Sequence, residues 1–316
     1  MNFDTNSQIP ASSDSASDSL QQAQPEGRLH PIAERALEAC DSDRTKMIIQ
    51  DHMIHYPSMK QVMSEADWMV HEPRQVRARG LIVCSGRGNG KTSLADLIHR
   101  RYSAYHDPDL HSAVRVSISG VRDPRALYGR ILEELGSPAR ISHRLSDREL
   151  LVQRLLLDVD CRLLILDEVQ DVLLGSEREQ QRALEGIKLL MNEVRLPVLA
   201  FGTESAGKAF IADPHLQARF VQISLPAWKA DNTLANFLAA YERVLPLKKP
   251  SNLAAPDNLK YLSKASEGIL GRIVERVKNA ALAAIADGTE QITLDGLKQA
   301  ITRPPVCGLL PGNSAQ

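Results

Sequence analysis

Residues 81–93, Leu-Ile-Val-Cys-Ser-Gly-Arg-Gly-Asn-Gly-Lys-Thr-Ser, form an apolar run that breaks into a glycine-rich loop closed by Lys91-Thr92. Gly86, Gly88 and Gly90 let the backbone curl with its N–H groups turned inward, and such a loop cradles the phosphates of a nucleotide. Arg87, Asn89 and Ser93 complete the cradle. The Lys91 ammonium is placed to reach the outer phosphates, and the Thr92 hydroxyl to ligate Mg²⁺. The strict pattern has a glycine where this chain has Ser85, a departure that leaves the Lys91 and Thr92 chemistry intact. Both flanks agree: a strand precedes the loop, and 92–98 reads as the helix whose N-terminus receives the phosphates.

A second run, Leu163-Leu164-Ile165-Leu166-Asp167-Glu168, is an aliphatic strand ending in two adjacent acids, 76 residues beyond Lys91. Buried parallel strands deliver carboxylates at their C-terminal edge in this way. Asp167 is expected to hold hydrated Mg²⁺ and Glu168 to orient and polarise the attacking water. ATP hydrolysis is the leading chemistry, with ATP and Mg²⁺ as cofactors.

Aromatic residues make up 4% of the 316-residue chain, so Leu, Ile, Val and Ala must build its core, which suits a helix-rich α/β protein. Cys40, Cys84, Cys161 and Cys307 have neither disulfide nor metal spacing, and a reduced, cytoplasmic protein is the expectation. No stretch approaches the length of a membrane span and no leader pattern opens the chain, so neither export nor anchoring is expected. Residues 1–27 carry Asp4, Asp14, Asp18 and Glu26 and no Lys or Arg, leaving 38 basic against 35 acidic side chains in the rest. That body permits a nucleic-acid partner through a local patch without itself arguing for one.

Along the chain, residues 1–27 are too poor in large apolar side chains to order themselves and are expected to be a disordered acidic tail. Residues 28–78 read as a helical extension, with Ile32, Ala36 and Leu37, then Met47, Ile48, Met53 and Ile54, then Val62, Ala66 and Trp68. From 79 to 230, strands at 80–84, 113–118, 162–166, 197–201 and 221–225 alternate with helices, the signature of a parallel sheet with crossover helices. Residues 231–302 read as helices only, at 234–244, 259–266, 273–286 and 294–301, and form an expected lid. Residues 303–316 are a short C-terminal tail.

With these residues in hand, the chain resembles the AAA+ ATPases and, within them, the TniB/TnsC-type ATPases of DNA transposition, relatives in role of the MuB-type target-selection proteins. The segments SGRGNGKTS, LLILDEVQDVL, GIKLLMNEVRLPVLAFGTESA, HLQARF, LPAWKADNTLANFLAAYERVLPLKKPS and GILGRIVERVKNAALAAIADG carry the resemblance, over roughly residues 30–302. It implies an AAA+ P-loop NTPase core with a five-stranded parallel sheet, an N-terminal helical extension and a C-terminal helical lid. It also implies further roles: Thr203 as the polar sensor near the γ-phosphate, Arg219 as the arginine that reaches a neighbouring subunit's nucleotide, and Arg272 as the second sensor, with Arg276 one turn on as the alternative. Arg122 and Arg125 fall in the loop the family turns toward DNA.

The implied function is a regulator that assembles on duplex DNA as a homo-oligomeric ring or helical filament, through backbone contacts, and that marks a target site. It recruits a transposase with a target-selector protein, and hydrolysis dismantles the assembly. A replication-initiator or helicase-loader ATPase, and a signalling or adaptor NTPase that does not touch DNA, are the alternatives. The first would be expected to append a DNA-binding domain to the lid and the second a repeat-rich sensor; neither is seen in the sequence.

Overall fold

Apolar runs bounded by glycine, proline and capping residues set the order of elements in the computed structural model, which describes residues 28–103, 113–137 and 144–300. Helices α1 (Pro31–Ala36), α2 (Asp41–Ile49) and α3 (Pro57–His71) precede β1 (Gly80–Cys84). There follow α4 (Lys91–Tyr102), β2 (Ala113–Ser117), α5 (Pro124–Glu134), α6 (Leu145–Asp158) and β3 (Leu163–Asp167). A 3₁₀ turn over Val169–Leu174 leads to α7 (Glu177–Glu193), β4 (Val198–Gly202), α8 (Glu204–Ala212), α9 (Pro214–Gln217) and β5 (Phe220–Ser224). Beyond lie α10 (Asn232–Arg243), α11 (Pro256–Ala265), α12 (Leu270–Ala286) and α13 (Leu294–Gln299).

The five strands are parallel and ordered β2-β3-β4-β1-β5. Each falls within one residue of its expected place. Strands β1, β3 and β4 are buried along their whole length, whereas the edge strands β2 and β5 have exposed positions. Crossover helices cover both faces of a parallel sheet, so its inner strands must be apolar throughout. Ile82, Leu164, Leu166 and Val198 pack there with Leu127 and Ile131 of α5 and Ile187 and Leu190 of α7. Each such side chain contributes roughly 1.5–3 kcal/mol of burial.

The chain divides into two units. The sheet-bearing unit comprises 55–229 and 263–273, and the helical unit comprises 28–54, 230–262 and the described residues from 274 onward. The linear division at 28–78, 79–230 and 231–302 thus cuts across both units. Among the described residues no helix is long and apolar enough to cross a membrane, and Cys40, Cys84 and Cys161 are free thiols. The expectations for residues 1–27, for 303–316 and for Cys307 lie outside the described residues.

Helix α3 carries Val62, Ala66 and Trp68 as expected, on different faces. Its buried stripe is Met59, Val62, Ala66, Met69 and Val70, at helical spacing, which turns Trp68 outward to 60% exposure.

In the helical unit, α2 is tied to the segment before α13 by a buried ion pair. The Arg44 guanidinium donates to both carboxylate oxygens of Glu290 and to the Pro246 carbonyl, at 2.8 Å through Nη2. The guanidinium holds the Glu290 carboxyl down to about 2 against its ordinary 4.5. A lowered carboxyl contributes stability that is complete above the unfolded value and is lost as pH falls through the folded one, on the order of 3 kcal/mol here. Glu290→Gln should therefore destabilise the protein by about 3–5 kcal/mol at neutral pH, because Arg44 loses its buried counter-charge and keeps only the exposed Asp41 carboxylate. In urea unfolding, that gap should narrow as pH drops from 4.5 toward 2. A constant gap would remove the pair as its cause.

Candidate nucleotide site

The loop from Ser85 to Gly90 joins the C-terminal end of β1 to the N-terminus of α4. Gly88 (φ +75°) and Gly90 (φ +80°) lie in the left-handed region, where a side chain is strained, so these two positions need glycine. Gly86 does not share that conformation, which narrows the sequence argument from three glycines to two. Ser85 also has no positive φ, so its Cβ is tolerated where the strict pattern has glycine. Its hydroxyl donates to the Gly86 carbonyl at 2.9 Å.

Lys91 is buried and its ammonium donates to the carbonyls of Ser85 (3.1 Å) and Gly86 (2.8 Å). Burial lowers its pKa, and the Glu168 and Asp167 carboxylates pull it the other way. Thr92 and Ser93 are exposed in the first turn of α4, where main-chain N–H groups have no partner within the helix. The loop is itself braced: the Gly271 N–H donates to the Gly88 carbonyl at 2.8 Å, and the Leu270 N–H to Asn89 Oδ1 at 3.0 Å. Asn89, expected in the cradle, thus also caps the first turn of α12, a role its sequence position did not reveal.

Asp167 ends β3 and is buried. One carboxylate oxygen accepts the Glu168 N–H at 2.9 Å and the other accepts Arg115 Nη2 at 3.0 Å. Glu168 follows in the left-handed region at φ +60°, a conformation costing a non-glycine residue on the order of 1–3 kcal/mol, and its carboxylate accepts a hydrogen bond from the Gln170 amide. Thr203 lies between the end of β4 and the start of α8, and its hydroxyl shares a hydrogen bond with Ser205 at 2.7 Å. Because β4 lies between β3 and β1, three neighbouring strand ends bring together Asp167-Glu168, Thr203 and the Lys91 loop.

Of the remaining residues, Arg219 stands apart from that edge. Arg219 precedes β5, and its carbonyl accepts the Gly80 N–H at the start of β1. It sits at the opposite end of the sheet from its own phosphate loop, about 16 Å away for a five-residue strand. One of its guanidinium nitrogens, Nη1, is buried with no hydrogen-bond partner among the described residues. Burial and neighbouring Arg77 lower its pKa.

Arg272, in the first turn of α12, is half exposed and paired with Glu267 at 3.0 Å. Arg276 is committed elsewhere, donating to the Tyr261 hydroxyl and to the Leu297 and Ala300 carbonyls. Arg122 and Arg125 are exposed at the entrance of α5, where Asp123 caps the helix by accepting the Ala126 N–H at 2.7 Å. The Asp171 carboxylate pins their loop by accepting from the Ser119 hydroxyl and the Gly120 N–H.

Beside the phosphate loop, on its β5 side, is a cavity of about 380 Å³ bounded by Arg87, Asn89, Glu204, Ser224 and Ile269 among others. Its lining includes neither Lys91 nor Asp167.

Solved structures with this fold include the Aeropyrum pernix ORC2 protein in ADPNP-ADP complexes, at 18% identity and a TM-score of 0.60, with 82% of this chain aligned to 72% of that one. The A. pernix ORC1 protein in complex with DNA gives 18% identity and 0.59, over 81% of this chain and 68% of that one. Cdc6p from Pyrobaculum aerophilum gives 16% and 0.55, over 78% and 67%. Likenesses at identities this low show the fold alone, a five-stranded parallel sheet with crossover helices followed by a helical region. A search of curated protein sequences gives no match. The sequence model of the family described as bacterial TniB protein matches residues 44–230, more than half of the 316 residues, and the chain belongs to that family.

Proposed function

We propose that this protein is a cytoplasmic, ATP-dependent regulator of DNA transposition that assembles on duplex DNA, marks the target site and recruits or activates a transposase. Hydrolysis of ATP then dissolves the assembly. The observation that carries this reading is that a TniB-family chain sets Lys91, Thr203 and the Asp167-Glu168 pair along three neighbouring strand ends.

The residues fit a nucleotide with Mg²⁺. The positive-φ glycines and the first turn of α4 offer inward N–H groups, and the buried Lys91 ammonium supplies charge to phosphate oxygens. The cavity toward β5 has room for a nucleoside. Among the described residues no cluster of three His, Cys, Asp or Glu side chains forms a metal cage of its own. Mg²⁺ asks for less, one or two protein oxygens with phosphates and water completing its shell, and Thr92 and Asp167 would hold it. When bound, the cation neutralises charge on the phosphates. Glu168 would orient the attacking water and Thr203 would donate toward the outer phosphate.

Arg219 would act on the nucleotide of a neighbouring subunit, since the sheet keeps it from its own. Its unpartnered buried nitrogen supports that reading. Arg272, at the head of α12, is the second-sensor candidate, because Arg276 is bound into the helical unit. Residues 231–302 would act as the lid.

A DNA partner is supported by the A. pernix ORC1 protein, which is in complex with DNA. Arg122 and Arg125 would meet phosphates, contacts that position without reading sequence. Replacing both by alanine should weaken duplex binding alike on all sequences and flatten the salt dependence by about 0.9 in the log–log slope per phosphate lost, with ATP affinity unchanged. A salt series of duplex affinity at saturating ATP tests this. An unchanged slope would move the DNA-binding face elsewhere, and no duplex binding by the wild type would contradict the proposed function.

A further inference from the structure

Strand β2 carries a charge where its pattern asks for none: Ala-Val-Arg-Val-Ser places Arg115 between two buried valines, with its own side chain only 23% exposed. A guanidinium so placed must be paired, and its two terminal nitrogens go to different elements. Nη2 donates to Asp167 Oδ2 at 3.0 Å, and Nη1 lies 3.5 Å from Asp96 Oδ1 on α4. The strand register sets Ser117, not Arg115, beside Asp167, so the side chain reaches forward along the sheet toward the acid at the strand end. Asp96 lies one helical turn beyond Thr92.

We infer that Arg115 is a positioning residue for the divalent cation, joining the two protein groups that would hold it: Asp167 directly and the Thr92 turn of α4 through Asp96. The inference rests on the proposed role of Asp167 toward Mg²⁺. With Oδ1 fixed by the Glu168 N–H and Oδ2 by Arg115, the carboxylate has a single orientation, and its remaining lone pairs face a defined direction. An arginine near a cation would by itself repel it. Asp96, which also pairs with Arg100 one turn on in α4, opposes that charge, so the Arg115–Asp96 pair itself adds almost no net charge and its remaining effect is orientation. Partners that orient metal ligands typically govern about 10- to 100-fold in metal affinity.

Two variants separate orientation from charge. Arg115→Ala combined with Asp96→Asn removes the fork without changing net charge. Arg115→Lys keeps the charge on a single nitrogen, which cannot span both carboxylates. A fluorescent ATP analogue bound by the full-length protein, titrated with Mg²⁺ from a metal-free start, reports the cation midpoint separately from metal-free nucleotide affinity. The charge-neutral pair should raise the midpoint by about 10- to 100-fold, with Arg115→Lys between it and wild type and the metal-free affinity unchanged. A wild-type midpoint in the charge-neutral pair overturns the inference. If that variant does not fold, as judged by circular dichroism, a wild-type midpoint in Arg115→Lys overturns it instead. Asp167→Asn keeps the two failures apart: no shift there removes Asp167 from the cation, whereas a shift there without one in the Arg115 variants removes Arg115 alone.

Discussion

A Glu168→Gln protein is expected to bind ATP, to stay assembled and to turn ATP over about 10²–10⁴-fold more slowly than wild type, the usual contribution of a positioned general base. The substitution keeps the size of the side chain and removes the charge that polarises water. It leaves Asp167 tied to Arg115 and to the main chain, so the proposed cation ligand is undisturbed. The left-handed backbone at 168 is equally uncomfortable for glutamine, which argues against a trivial folding effect. Single-turnover hydrolysis and a separate binding titration check both halves of the expectation. Wild-type turnover would remove Glu168 from the reaction. Mixing these subunits with Arg219→Ala subunits should restore part of the activity, because some interfaces would then pair an intact Arg219 with an intact Glu168. Restored activity is what an arginine at the far end of its own sheet predicts.

Lys91→Ala is expected to lower ATP affinity by at least about 10²-fold and to abolish nucleotide-dependent assembly. Hydrogen bonds to charged groups are worth about 1.5–3 kcal/mol each, and 1.4 kcal/mol is tenfold in affinity. The ammonium is already buried among loop carbonyls, so much of its desolvation is complete before any phosphate arrives. Direct titration with ATP measures the loss, and unchanged affinity would contradict the assigned role.

The sheet was legible because its signals are local: the inner strands are short, wholly apolar runs bounded by glycine, proline or charged residues, and the edge strands interrupt theirs with only one or two polar positions. The phosphate loop was legible for the same reason. What escaped depends on contacts between distant parts of the chain. Arg115 reads as a stray charge in a strand until β2 is paired with β3 and covered by α4, and only its unusual setting between valines hinted at a partner. The Asn89 cap on α12 joins positions 181 residues apart, and the Arg44–Glu290 pair spans 246. The same long reach explains the grouping of residues 28–54 with the C-terminal helices, which no linear reading of composition separates from α3. Trp68 shows the limit of composition, because hydrophobicity alone does not say which face of α3 it takes, whereas helical spacing from Val62 and Ala66 turns it outward.

The central claim is that nucleotide binding at the Lys91 loop drives assembly on duplex DNA. Electron microscopy of the full-length protein with duplex DNA and a slowly hydrolysed ATP analogue tests it most directly. The account predicts rings or filaments enclosing the duplex, present with the analogue, absent without nucleotide and absent for Lys91→Ala, with Arg219 of each subunit at the next subunit's phosphates. Single subunits that ignore both DNA and nucleotide would contradict it.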